Sequence, residues 1–83
     1  MSDQAGQVRL QVRPALGGWQ VICDLPIETS YFRSGARAER AARDLAIRLS
    51  ALGHDVEVVI QDRGQEVVGT QIYFGLDASL VSD

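Results

Sequence analysis

Residues 34–53, SGARAERAARDLAIRLSALG, carry apolar side chains at helical spacing in an 83-residue chain that otherwise alternates with the period of a strand. At 100° per residue Ala38, Ala41, Ala42, Leu45, Ala46, Leu49 and Leu52 gather on one stripe, the pattern of a core-facing helix. Its alanines imply close approach to a sheet. Ser34 is a suitable N-cap, since its hydroxyl can accept from an otherwise orphaned N–H, worth about 1 kcal/mol. Gly53 stands where a left-handed C-cap belongs.

On both sides of this helix the period falls to two. Upstream, Val8, Leu10 and Val12 alternate with Arg9, Gln11 and Arg13, as in a half-buried strand. Pro14 is expected to stop that strand and Gly17-Gly18 to turn the chain into a second one, Trp19 to Asp24, with Trp19, Val21 and Cys23 on one face. Ile27 to Phe32 reads either as a short extra strand or as an irregular approach to the helix. Downstream, Val56, Val58 and Ile60 point one way and Glu57, Val59 and Gln61 the other. Asp62-Arg63-Gly64 reads as a tight turn with Gly64 at positive φ, and a last strand covers about Glu66 to Phe74.

The expected fold is therefore α+β, a β-β-α-β-β two-layer sandwich with a mainly antiparallel sheet and one helix packed on one face. A single domain over residues 7–77 is expected between a disordered lead, 1–6, and a flexible tail, 78–83. Sheet order stays open. With the strand after the helix beside the first strand, all neighbours are expected antiparallel; beside the second, that pair is parallel with a right-handed crossover.

Arg33, Arg37, Arg40 and Arg48 lie together on the face opposite the leucines, within a chain of formal charge −3. They are the candidate polyanion-binding residues. Asp44 sits among them, one turn from Arg40 and Arg48, and Glu39 precedes Arg43 by four. Such acid-first i,i+4 pairs are each worth about 0.2–0.5 kcal/mol. A nucleic-acid surface usually comes with a basic domain and interleaved aromatics. This domain is acidic and its helix holds no aromatic, so a solvated helix face is the favoured reading and polyanion binding the alternative.

Catalytic chemistry finds little to stand on. His54 is the one histidine, and strand alternation separates it from Asp55 and Glu57. It is expected at the helix end, interacting with the C-terminal carbonyls, and no metal site is expected because zinc needs three or four convergent ligands. Cys23, in phase with Trp19 and Val21, reads as a core residue without a neighbouring base. Trp19 reads as the main core anchor. No glycine-rich phosphate loop precedes the helix. The expectation is a protein that is not an enzyme and uses no cofactor.

One cysteine permits no internal disulfide, which suits a reducing cytoplasm. The start MSDQAGQ lacks the basic and apolar regions of a signal peptide, and no apolar run approaches the ~20 residues of a membrane span. The uncovered sheet face is the remaining candidate for function. It is expected to show Arg9, Gln11, Arg13, Gln20, Asp24, Glu57 and Gln61, with Ile22, Val59 and Tyr73 as the candidate apolar contacts of a homodimer and Val67 of the last strand as a further possible member. Edge strands are a second route to pairing with another chain.

Gly18-Trp19-x-Val21, the Ser34 cap, Ala38-x-x-Ala41-Ala42-Arg43-Asp44-Leu45-Ala46, Val58-Val59-Ile60-x-Asp62-x-Gly64 and the close Tyr73-Phe-Gly-Leu-Asp77 form a recurring plan. It resembles a widespread family of small bacterial proteins classed as a domain of unknown function. The likeness spans roughly Val8 to Asp77 and departs at Gly35, where that family commonly has a longer polar residue. The resemblance implies the fold and brings no catalytic residues. The front half alone, Gly17-Gly-Trp-x-Val, Asp24-Leu-Pro26 and the Ser34 cap leading to Ala38, is similar to HicB-type antitoxins, which bind a small toxin ribonuclease. There Arg37 replaces the expected glutamate. What the residues and the resemblance together imply is a small cytoplasmic bacterial interaction domain, self-associating. Polyanion binding or antitoxin-like binding of a toxin are the alternatives.

Overall fold

A computed structural model describes residues 7–75. The elements run β1 (Gln7–Ala15), β2 (Gly18–Cys23), β3 (Ser30–Phe32), α1 (Gly35–Ala51), β4 (Asp55–Gln61) and β5 (Val67–Tyr73). They form one five-stranded sheet in the order β3-β2-β1-β4-β5 with α1 on one face, the expected α+β class with one strand more than expected. The proposed lead, the proposed tail and Asp77 lie outside the described residues.

The open question at Ile27 to Phe32 resolves in favour of a strand: β3 pairs antiparallel with β2, Trp19 opposite Phe32 and Val21 opposite Ser30. That short strand reverses the chain once more before the helix. In consequence β4 lies beside β1 and parallel to it, Val8 opposite Val56 and Val12 opposite Ile60. The expectation that neighbours of the first strand are all antiparallel is corrected. It failed because the direction of β4 depends on the number of reversals before α1.

Pro14 does not stop β1, which runs to Ala15 with Pro14 opposite Trp19. The reason is the alternation of peptide groups. Asp24 donates its N–H to the Arg9 carbonyl (3.2 Å), so Arg9, Gln11 and Arg13 turn their backbone groups toward β2. Val8, Leu10, Val12 and Pro14 then turn theirs toward β4. Pairing with β4 ends at Val12, so the missing N–H of Pro14 breaks no ladder bond.

The core lies between α1 and the three central strands. Leu10, Val12, Val56 and Val58 are fully buried beneath Ala38, Ala42, Ala46 and Leu49 of the helix. Each buried valine or leucine contributes about 1.5–3 kcal/mol, and the alanines set the close helix–sheet distance that lets them do so. Leu52, expected in the stripe, is 76% exposed: it is the C-cap residue, past the last helical turn. Trp19, expected as the main anchor, is only partly buried and packs on the core from its end, its indole against Gly35.

Both helix ends carry their caps. Ser34 Oγ accepts from the Arg37 N–H at 3.1 Å. At the other end Gly53, at φ 101°, donates to the Ser50 carbonyl and His54 to the Leu49 carbonyl. These two bonds make a Schellman motif. In the β4–β5 turn Gly64 was the expected positive-φ residue, but Gln65 takes that conformation at φ 68°. Asp62 explains the shift: its Oδ1 accepts from the N–H of Gly64 (2.8 Å) and of Glu66 (3.1 Å), and its carbonyl accepts from Gln65. A turn built on that aspartate needs its left-handed residue one position later.

Candidate interaction surfaces

The sheet registers fix what each surface displays. On the face away from α1, one row across the strands is Ile22, Gln11, Val59, Thr70, and the next is Asp24, Arg9, Glu57, Ile72. Ile22 and Val59 thus stand on the uncovered face as expected, with Gln11 between them, and both are partly buried by their neighbours. Tyr73 does not. It pairs with Val56, whose side chain is in the core, and packs against that core on the helix side with its hydroxyl donating to Gln71 Oε1 at 3.1 Å. Counting back from Val56 in the register assigns it there, so its place among the dimer contacts is corrected.

Charge on the uncovered face is largely self-satisfied. Arg9 Nε meets Glu57 Oε1 at 3.0 Å, and the Arg9 N–H donates to Asp24 Oδ1 at 3.0 Å. These groups line a shallow groove of about 670 Å³ that also touches Asp55, Ile72 and Phe74. A solvent-exposed pair of this kind contributes about 0–1 kcal/mol. The two contacts link Arg9 of β1 to Glu57 of β4 and to Asp24 just after β2. Among the described residues no group of three His, Cys, Asp or Glu side chains converges to hold a metal ion, and no helix is long and apolar enough to cross a membrane.

His54 reaches the helix end by its backbone, whose N–H bonds the Leu49 carbonyl at 3.1 Å, while its Nδ1 is buried without a partner. The expected contact of the ring with the terminal carbonyls is replaced by this main-chain bond. Cys23 lies on the helix side opposite Leu10. Its Sγ accepts from the Leu25 N–H at 3.4 Å, and burial, aided by Asp24 and opposed by that bond, pushes the thiol pKa up. A thiol so placed is a weak nucleophile.

On the helix, Glu39 reaches Arg43 at 3.5 Å, as its i,i+4 spacing implies. The Asp44 pairs with Arg40 and Arg48 are not formed, and among the described residues Arg33, Arg37, Arg40 and Arg48 have no carboxylate within salt-bridge distance and are exposed. Another guanidinium, Arg63 of the β4–β5 turn, sits 4.8 Å from the centroid of the Trp19 ring. That contact ties the turn to Trp19 of β2 and gives Arg63 a partner.

Of β5, position-by-position reading names only Val67 and Tyr73, and it does not single the strand out as the open edge. Val67, Val68 and Ile72 are each more than half exposed, and residues 67–75 contain no charged side chain. The signal was in the sequence: VVGTQIYFGL, residues 67–76, is the longest charge-free run between the helix and Asp77 and carries four β-branched residues. Among the described residues β5 is paired on one side only, with β4. No family model, curated protein or solved structure matches the chain.

Proposed function

We propose that this domain works without catalysis, as an interaction module that associates with a second copy of itself through the open face or edge of its sheet. The observation that supports this is that three exposed apolar side chains, Val67, Val68 and Ile72, share the charge-free strand β5 at one sheet edge. A seven-residue edge strand without charge or proline is what monomeric proteins ordinarily avoid, because its unpaired N–H and C=O groups template further pairing. Here nothing among the described residues blunts it except the register shift near Gln61. Sedimentation equilibrium tests the reading. A mass near twice 9.0 kDa is expected at micromolar concentrations, and a strict monomer at several hundred micromolar would refute it.

Polyanion binding through Arg33, Arg37, Arg40 and Arg48 is the second reading, favoured by the absence, among the described residues, of a carboxylate within salt-bridge distance of those four side chains. It requires affinity for a labelled duplex or single strand that falls steeply with salt, since each phosphate contact releases counterions. Arg37→Gln with Arg40→Gln must then weaken it. Equal binding by that variant would mean the stripe is only a solvated helix face.

A further inference from the structure

We infer that two copies join edge to edge, β5 against β5 in antiparallel sense about a two-fold axis, making one continuous ten-stranded sheet. This rests on the self-association proposed above and names the surface and geometry that carry it.

The backbone decides which groups are free. Asp62 donates its N–H to the Glu66 carbonyl at 2.9 Å, so the peptide groups of Asp62 face β5. Alternation along β4 then turns those of Ile60, Val58 and Val56 the same way. The β1 alternation gives the same answer independently: Leu10 and Val12 face β4, and in a parallel pair Glu57 and Val59 face back. Ile60, Val58 and Val56 pair with Gly69, Gln71 and Tyr73. Those three residues of β5 therefore spend their N–H and C=O on β4, and Thr70 and Ile72 present theirs outward. An axis at Thr70 brings Thr70 opposite its own copy and Ile72 opposite Val68 of the other protomer, twice, with Val68 the extra residue at the β4–β5 register shift.

Three features favour a second copy over a different partner. First, β5 carries no charge, so antiparallel self-pairing sets no like charges opposite each other. Second, the side chains that meet, Val68 and Ile72, are both apolar and both exposed in the protomer. Third, the other sheet edge is the three-residue β3, too short to pair with β5 and propagate an open chain, so β5 joining β5 closes the assembly. A two-fold axis perpendicular to the sheet leaves both α1 helices on the same side. Their exposed arginines then form one face of the dimer and the two Arg9–Glu57 surfaces the other.

The test combines mass with amide exchange on the full chain. In the dimer the amides of Thr70 and Ile72 should be protected together with those of Gly69, Gln71 and Tyr73. Thr70→Pro removes an outward N–H and no bond to β4. Because the change acts in both copies, it should weaken the dimer roughly tenfold or more. Ile72→Lys, which keeps every backbone donor, should do the same while circular dichroism stays that of the wild type. A wild-type dimer in which Thr70 and Ile72 exchange freely, or which survives both substitutions, would overturn edge pairing and leave self-association through another surface. A wild-type monomer would overturn both.

Discussion

The two edges of this sheet are built on opposite principles. At one, β3 is three residues long, follows Pro26, and covers β2 only over Trp19 to Val21. At the other, β5 matches β4 over almost its full length and shows solvent valines and an isoleucine. The first edge is blunted by brevity, one of the ordinary defences against strand addition, and the second has neither charge nor proline. Single exposed apolar side chains occur elsewhere, Leu16, Tyr31 and Leu52 among them. What sets β5 apart is that three of them, Val67, Val68 and Ile72, share one strand whose backbone is also unsatisfied, and that coincidence gives β5 its functional reading.

The strongest way to break the contrast is to remove the blunt edge. Gly18 begins β2 against the Phe32 carbonyl of β3, and a β-carbon there would collide with that backbone atom. Gly18→Ala must therefore push β3 away or distort β2, and overpacking of this kind costs roughly 1–3 kcal/mol. The expected outcome is a lower melting temperature with amide protection lost at Ser30 to Phe32 and kept on β5. Unchanged protection at β3 would mean the close approach tolerates a methyl group and the short edge is looser than described.

A smaller change sharpens the other side. Gln65 holds φ 68° at the start of the β5 hairpin, a conformation that costs an L-residue roughly 1–2 kcal/mol and glycine none. Glycine gives back about 0.5–1 kcal/mol through its freer unfolded state. Gln65→Gly should then stabilise the fold by about 0.5 kcal/mol, a rise of roughly 2–4 °C in Tm for a domain of this size. A fall in Tm would show that the glutamine side chain supplies a contact worth more than the strain, and that β5 is anchored at its turn as well as along β4.

How much of this was legible beforehand follows from where each signal resides. The helix and both of its caps are local, carried by Ser34, Gly53 and the alanine stripe, and they stood as expected. The faces of β2 and β4 followed from strict alternation and placed Ile22 and Val59 correctly. What failed was non-local. Tyr73 sits one residue from the uncovered face, and only its pairing with Val56 assigns it to the core side. Pro14 is harmless because of a partner strand that ends two residues earlier, and the direction of β4 hangs on a three-residue strand too short to show a period. The turn at Asp62 was recognised, but its left-handed position depended on which N–H groups one carboxylate would accept. Strand β5 was found and its lack of charge passed over, because being an edge is a property of sheet order.

The smallest predicted effect probes the stretch where the blunt edge runs out. Cys23 lies on β2 two residues past the last β3 pair, so its protection reports whether that end of the sheet holds together without a neighbouring strand. Burial raises its pKa above that of an exposed thiol, Asp24 adds to the rise, and the Leu25 N–H works against it. The thiolate is the species that alkylates. Iodoacetamide should therefore modify folded protein more slowly than urea-unfolded protein at pH 7.5, with the rate climbing at higher pH in the folded state. The linkage runs the same way. The neutral thiol's contribution is complete below the unfolded pKa and is lost as pH rises through the higher folded value, so Cys23→Ser should flatten the alkaline loss of stability. Equal alkylation rates in the two states would mean that β2 frays beyond Val21. The blunt edge would then stop one strand-end earlier than its pairing with β1 implies, leaving β5 as the one edge that is both ordered and open.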